Sequence, residues 1–202
     1  MAAVGQPSLL PGMLFLALFF LGGIFLGQVL AGRIPDAAGQ ELSDYLRYYV
    51  ELEEEVSPQA VMSALVLYFR YPFLAVLLGF SSIGVVLLPC ITAAFGFFMS
   101  FSVSCFTAAF GVDGMLLALA VSGLRCAVTL PCYFLLAVPA WGTSAALASL
   151  SIGKGRRSVA VTYGRAWWLR LSICGTVLLA GMCVDLFCST WFLRLALERV
   201  LA

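Results

Sequence analysis

The sequence predicts an all-α protein, a polytopic transmembrane helical bundle of about five spans with a broken or re-entrant helix around 114–130. Three observations predict it. The chain is 63% hydrophobic and only 10% charged, with a mean hydropathy of +1.07, whereas a soluble domain carries about 25% charged residues. Several uncharged runs are long enough to cross about 30 Å of hydrocarbon at 1.5 Å per residue. The charges that remain are sorted by sign. Residues 33–70 hold Asp36, Glu41, Asp44, Glu51, Glu53, Glu54 and Glu55 beside three Arg, and residues 139–170 hold Lys154, Arg156, Arg157, Arg165 and Arg170 with no acid. Short loops rich in Lys and Arg stay in the cytoplasm. We therefore read 152–169 as a basic cytoplasmic loop and 33–70 as an extracytoplasmic amphipathic helical segment, within a single integral membrane domain over 1–202.

The first span is read over 12–32, which is uncharged. No Lys or Arg precedes it and its apolar core is too long for a signal peptide. Within it Gly23 and Gly27 form a G-x-x-x-G pair, which lets two helix backbones approach closely. That approach serves packing within the monomer or homo-oligomerisation equally well.

The acidic segment has helical order. Leu42, Tyr45, Leu46, Tyr49 and Leu52 recur at helical spacing, with charged residues between them. Such a helix lies along the bilayer interface with Tyr at headgroup level, or offers Leu42, Tyr45, Leu46 and Tyr49 as a docking face for an extracytoplasmic partner. Ser57-Pro58 then reads as an N-cap and first helical residue, and a further helix leads into the second span.

Residues 71–112 carry no charge and suffice for two spans, with Pro89 and Gly96 marking where the chain can break and Asp113-Gly114 ending the second of them. From Gly114 to Gly153 the only charge is Arg125. Forty residues in one helix would measure about 60 Å, twice the core thickness. A break is therefore expected, at Leu130-Pro131, with Pro139 a second kink. Either 114–130 is re-entrant before a span at 131–151, or both pieces cross and six spans result. Six would put the acidic and basic stretches on one face, so five is preferred. The last span is read at 170–190, with an amphipathic end carrying Arg194, Glu198 and Arg199. Five spans place the N-terminus in the cytoplasm and the C-terminus outside.

Chemistry is sparse. The chain has no His, which excludes Ser/His nucleophilic catalysis and His-based metal sites. No P-loop, dinucleotide-binding glycine pattern or Cys-x-x-Cys pair occurs, and a net charge of +1 gives no nucleic-acid footprint. We expect no enzyme, no cofactor and no metal. The seven Cys lie in or beside apolar runs, where Cys acts as a small hydrophobe. Arg125 and Asp185 are the ionisable groups deepest in apolar sequence, and each is expensive there unless paired or hydrated. They are expected to form a buried ion pair or to line a polar path.

One ordered set of motifs extends this reading. Phe25-Leu26-Gly27 closes a glycine-rich first span before a polar amphipathic segment. Leu78-Gly79, Gly84 and Leu88-Pro89 follow, then Phe95-Gly96-Phe97, Leu130-Pro131 and Val138-Pro139-Ala140. In this order, over roughly 12–190, the chain resembles the stage II sporulation protein M family. Where many relatives carry polar residues after the Leu-Pro, this chain has Cys132-Tyr133. The resemblance implies about five spans and a non-enzymatic membrane scaffold of endospore-forming bacteria. Such a scaffold localises extracytoplasmic, membrane-associated cell-wall hydrolases to the septal membrane during engulfment. The rival class is a small transporter or permease-like subunit with Arg125 as an anion contact, which needs a polar cavity at broken helices.

Overall fold

The computed structural model describes residues 9–33, 58–151 and 164–201. It is all helical there: α1 (Leu9–Ala31), α2 (Pro58–Gly79), α3 (Gly84–Ala118), a π-helical turn (Leu119–Gly123), α4 (Leu124–Ser151) and α5 (Arg165–Leu201). Among the described residues five segments are long and apolar enough to span a membrane: Leu10–Ala31, Val61–Gly79, Gly84–Thr107, Leu124–Ser149 and Arg165–Leu186.

Helices successive along the chain alternate in direction. Gly23 meets Ala93 and Gly27 meets Phe97, so α1 and α3 are parallel. Trp141 reaches Val85 and Tyr133 reaches Thr92, so α3 and α4 are antiparallel. Gly79 lies against Ala140, while Tyr68 lies near Arg125. That makes α2 parallel to α4. Arg125 meets Asp185 and Val128 meets Gly181, so α5 opposes α4. The acidic stretch read as 33–70 ends earlier than expected, since its last part, from Pro58, belongs to α2; Arg33 and Pro58, which flank the remainder, therefore lie at one end of the bundle. The basic loop read as 152–169 likewise gives way to α5 from Arg165, and Ser151 and Gly164, which flank the rest of it, lie at the other end.

Helices α2 and α4 form the centre. On one side they join α1 and α3 in a core of Leu16, Phe20, Tyr71, Ala75, Leu88, Phe95, Tyr133 and Ala137. Phe95 is its hub, with ring centroids 4.4 Å from Tyr71 and 5.3 Å from Tyr133. On the other side they join α5 through Ala64, Tyr68, Cys132, Leu136, Cys174, Leu178 and Met182. Side chains pointing outward, such as Leu14, Leu18, Phe25, Val66 and Ile173, are apolar and exposed, as a lipid-facing surface requires. All-round apolar helices of this kind belong inside a membrane.

The seam between α1 and α3 is the closest contact. A Cβ added at Gly23 would strike the Ala93 carbonyl oxygen, and one at Gly27 would lie 2.7 Å from the Phe97 carbonyl oxygen. From the opposite helix, a Cβ at Gly96 would strike the Phe20 carbonyl oxygen. Glycines on both faces thus let the backbones touch, the small-residue packing that association in lipid favours.

The breaks differ from the sequence expectation. The chain turns at Phe80–Ile83 rather than at Pro89 or Gly96, both of which lie inside α3. Hydroxyls from α4 satisfy carbonyls at this turn: Thr143 Oγ1 donates to Gly79 O at 3.1 Å and Ser144 Oγ to Ser81 O at 2.6 Å. A Cβ at Gly84 would strike the Leu78 carbonyl oxygen, which excludes larger residues there. Pro89 removes the N–H that would bond the Val85 carbonyl four residues back. The indole of Trp141 donates to that carbonyl instead, at 3.3 Å. Helices in membranes tolerate proline when a neighbour supplies the missing donor.

Pro131 and Pro139 also lie inside a helix, α4, so Leu130-Pro131 is not the break. Because α3 and α4 run antiparallel and Ser102 and Ser122 line one cleft, the chain reverses between those two residues. The fourth span accordingly starts at Leu124, not at 131. The regular α-helix is broken within 114–130 by the π-helical turn.

Candidate functional site

Arg125 is the second residue of α4, and Asp185 lies in the span of α5. The guanidinium Nη2 of Arg125 donates to Asp185 Oδ2 at 3.1 Å. Asp185 is 4% exposed, and an unpaired carboxylate in such a place would be costly. The pair also fastens a third helix. The Arg125 guanidinium lies 5.6 Å from the centroid of the Tyr68 ring, and the Tyr68 hydroxyl donates to Gly181 O at 3.3 Å. This close approach of α5 depends on Gly181, where an added Cβ would lie 2.8 Å from Val128 Cγ1.

Beside the pair opens a cleft of roughly 140 Å³ between α2, α3 and α4. Its polar lining is Arg70, Tyr71, Ser102, Ser122, Arg125 and Thr129, with no acid. Arg70 Nη2 donates to the Tyr71 hydroxyl at 2.6 Å, and its guanidinium lies 4.4 Å from the Tyr71 ring centroid and 6.0 Å from that of Phe98. Among the described residues no carboxylate pairs with Arg70. Thr129 is 3% exposed and its Oγ1 has no hydrogen-bond partner; the Nε of Arg125 is likewise unpartnered. Ser122 belongs to the π-helical turn and donates to Ala118 O at 2.7 Å. Single π turns inserted in helices occur often at functional sites.

Arg70 escaped the sequence reading because it ends the charged stretch 33–70, and the uncharged run begins one residue later. Its helix, however, is apolar from Val61 to Gly79, which puts Arg70 near the middle of a span. The signal was present in Val61, Met62, Leu65, Val66 and Leu67, whose apolar run continues across the Arg. Likewise Arg165 and Arg170, grouped with the basic loop or its edge, fall in α5.

The other candidate residues divide by location. Gly23 and Gly27 are buried in the α1–α3 seam, Pro131 is exposed on α4, and Pro139 is half-buried there. Leu42, Tyr45, Leu46 and Tyr49 lie outside the described residues. Among the described residues no three His, Cys, Asp or Glu gather as a metal site, and six cysteines are free. Comparison of the chain with family models, curated proteins and solved structures finds no match. Five candidate spans alternating in direction decide the class. This is a multi-pass membrane protein.

Proposed function

We propose that the protein is a non-enzymatic membrane scaffold that holds an extracytoplasmic partner at the membrane, as the resemblance to the stage II sporulation protein M family implies. The partners would then be membrane-associated cell-wall hydrolases, captured at the septal and engulfing membrane of a forming endospore. One observation carries the reading. Arg33 and Pro58, which flank the part of the acidic stretch that lies outside the described residues, lie at the end of the bundle opposite Ser151 and Gly164. The segment is thereby tethered twice on one face of a close-packed apolar body. A scaffold needs such a platform and a binding surface, not a reacting group. The pairing of Arg125 with Asp185 at 3.1 Å supports the same reading, since it uses a buried acid to join helices.

The test is capture of a hydrolase by the full-length protein in membranes of a spore-forming host. Interface energy concentrates in a few aromatic anchors, so Tyr45→Ser, Leu46→Ser and Tyr49→Ser together should abolish capture while membrane accumulation is unchanged. Full capture by the triple variant would contradict the docking face. A second reading, a small transporter or permease-like subunit, draws on the open cleft beside Arg125. It would be favoured if Arg70 and Arg125 variants lost solute flux into vesicles while hydrolase capture stayed intact.

A further inference from the structure

We infer that the cleft between α2, α3 and α4 is a binding site for the phosphate group of an anionic phospholipid, held by Arg70 with Arg125, Ser122 and Thr129. The inference does not rest on the scaffold reading, because lipid binding and partner capture are measured separately.

The first argument is charge. Arg125 has a carboxylate within 3.1 Å, but Arg70 has none among the described residues, and no acid lines the cleft. An uncompensated guanidinium near the middle of an apolar span is costly. Stacking on Tyr71 offsets part of that cost but supplies no countercharge. An anion in the cleft would supply it.

The second argument is the donor set. Thr129 Oγ1 and Arg125 Nε are buried without partners, and a buried polar atom left unsatisfied costs about 1–3 kcal/mol. Both belong to residues that line this cleft. The Tyr71 hydroxyl accepts from Arg70, which leaves its own hydrogen free to donate. Guanidinium forks with neighbouring hydroxyls match phosphate oxygens, and such charge-assisted bonds are about twice as strong as neutral ones.

The third argument is access, and it selects the source. Arg125 and Ser102 lie toward the chain-reversal end of their spans and Ser122 lies between those spans, while Arg70 lies deeper. Leu67 and Phe98 flank the cleft and are exposed on the outer surface of the bundle, where acyl chains would run. A phosphate group entering from that end with its tails against Leu67 and Phe98 satisfies both features.

The test uses the purified full-length protein in nanodiscs of phosphatidylcholine with a minor fraction of phosphatidylglycerol, and reads retained lipid by native mass spectrometry. The wild type should retain phosphatidylglycerol over phosphatidylcholine. Arg70→Gln should weaken that retention about tenfold, Arg70→Lys less, and Thr129→Val about threefold, as loss of one charge-assisted and one neutral hydrogen bond implies. Inorganic phosphate titrated into phosphatidylcholine-only discs separates the sources. Arg70-dependent phosphate binding without phosphatidylglycerol preference would uphold the anion site but assign it to a soluble anion. Equal phosphatidylglycerol retention by the wild type and a folded Arg70→Gln variant would overturn the inference. Should Arg70→Gln fail to accumulate, the wild type decides: no preference for phosphatidylglycerol and no phosphate binding would overturn it equally.

Discussion

Arg125 illustrates how a single residue can be structural on one side and open on the other. Its Nη2 is committed to Asp185, while its side chain remains 28% exposed along the cleft. The pair is worth keeping only as a pair, because removing one partner strands a charge in low dielectric, whereas removing both leaves apolar side chains. In thermal unfolding of the detergent-solubilised protein, Arg125→Leu and Asp185→Leu should each destabilise more than the double change does. The coupling energy should be about 1–3 kcal/mol. Additive losses across the cycle would remove the pair as a stabilising unit. That the two charges meet was one of two outcomes the sequence allowed, since cost in an apolar run requires a partner or water without saying which. Arg70 was illegible for a different reason. Reading charge by stretches assigned it to the acidic segment, although its own neighbours make it part of a span.

At the scale of elements, small residues and prolines gave opposite lessons. The Gly23/Gly27 pair was visible as a site of close approach, but its partner was not, because nothing in a spacing names the opposing helix. The partner face is Ala93, Gly96 and Phe97 of α3. Two adjacent glycines provide a matched test. A Cβ at Gly22 meets nothing within 4 Å, whereas one at Gly23 strikes the backbone of Ala93. Gly22→Val should therefore leave the thermal midpoint nearly unchanged, while Gly23→Val should cost about 1–3 kcal/mol or more through overpacking. Equal tolerance of both would contradict the seam. The prolines misled as markers of breaks. Pro89 is accommodated by a donor 52 residues further along the chain, Trp141, which bonds the carbonyl that Pro89 frees. Such compensation depends on tertiary contact and cannot be read from a local pattern. The true turn at Phe80–Ile83 lies between Gly79 and Gly84, with Ser81 Oγ accepting from the Ile83 N–H and hydroxyls of Thr143 and Ser144 closing it from α4.

The whole molecule follows from counting crossings. Composition and uncharged run lengths were enough for an all-α bundle of apolar spans, because the hydrophobic thickness fixes helix length independently of packing detail; the number five rested on the sorting of Lys and Arg between the two polar stretches. The position of the fourth crossing was less accessible, since residues 114–151 form one long apolar stretch, interrupted only by the charge of Arg125, with several candidate breaks. The structure resolves it by pairing Thr92 with Tyr133 and Val85 with Trp141, which forces α3 and α4 to run antiparallel as separate crossings. Alternation then sets the bracketing residues of the acidic and basic stretches at opposite ends. The same alternation underlies the proposed platform, so the most direct measurement is topological. Reporters fused at Glu54 and at Gly155 of the full-length protein should fall on opposite sides of the membrane, with Glu54 outside and Gly155 in the cytoplasm by the positive-inside rule. Both reporters on one side would contradict the five-crossing arrangement and the platform built on it.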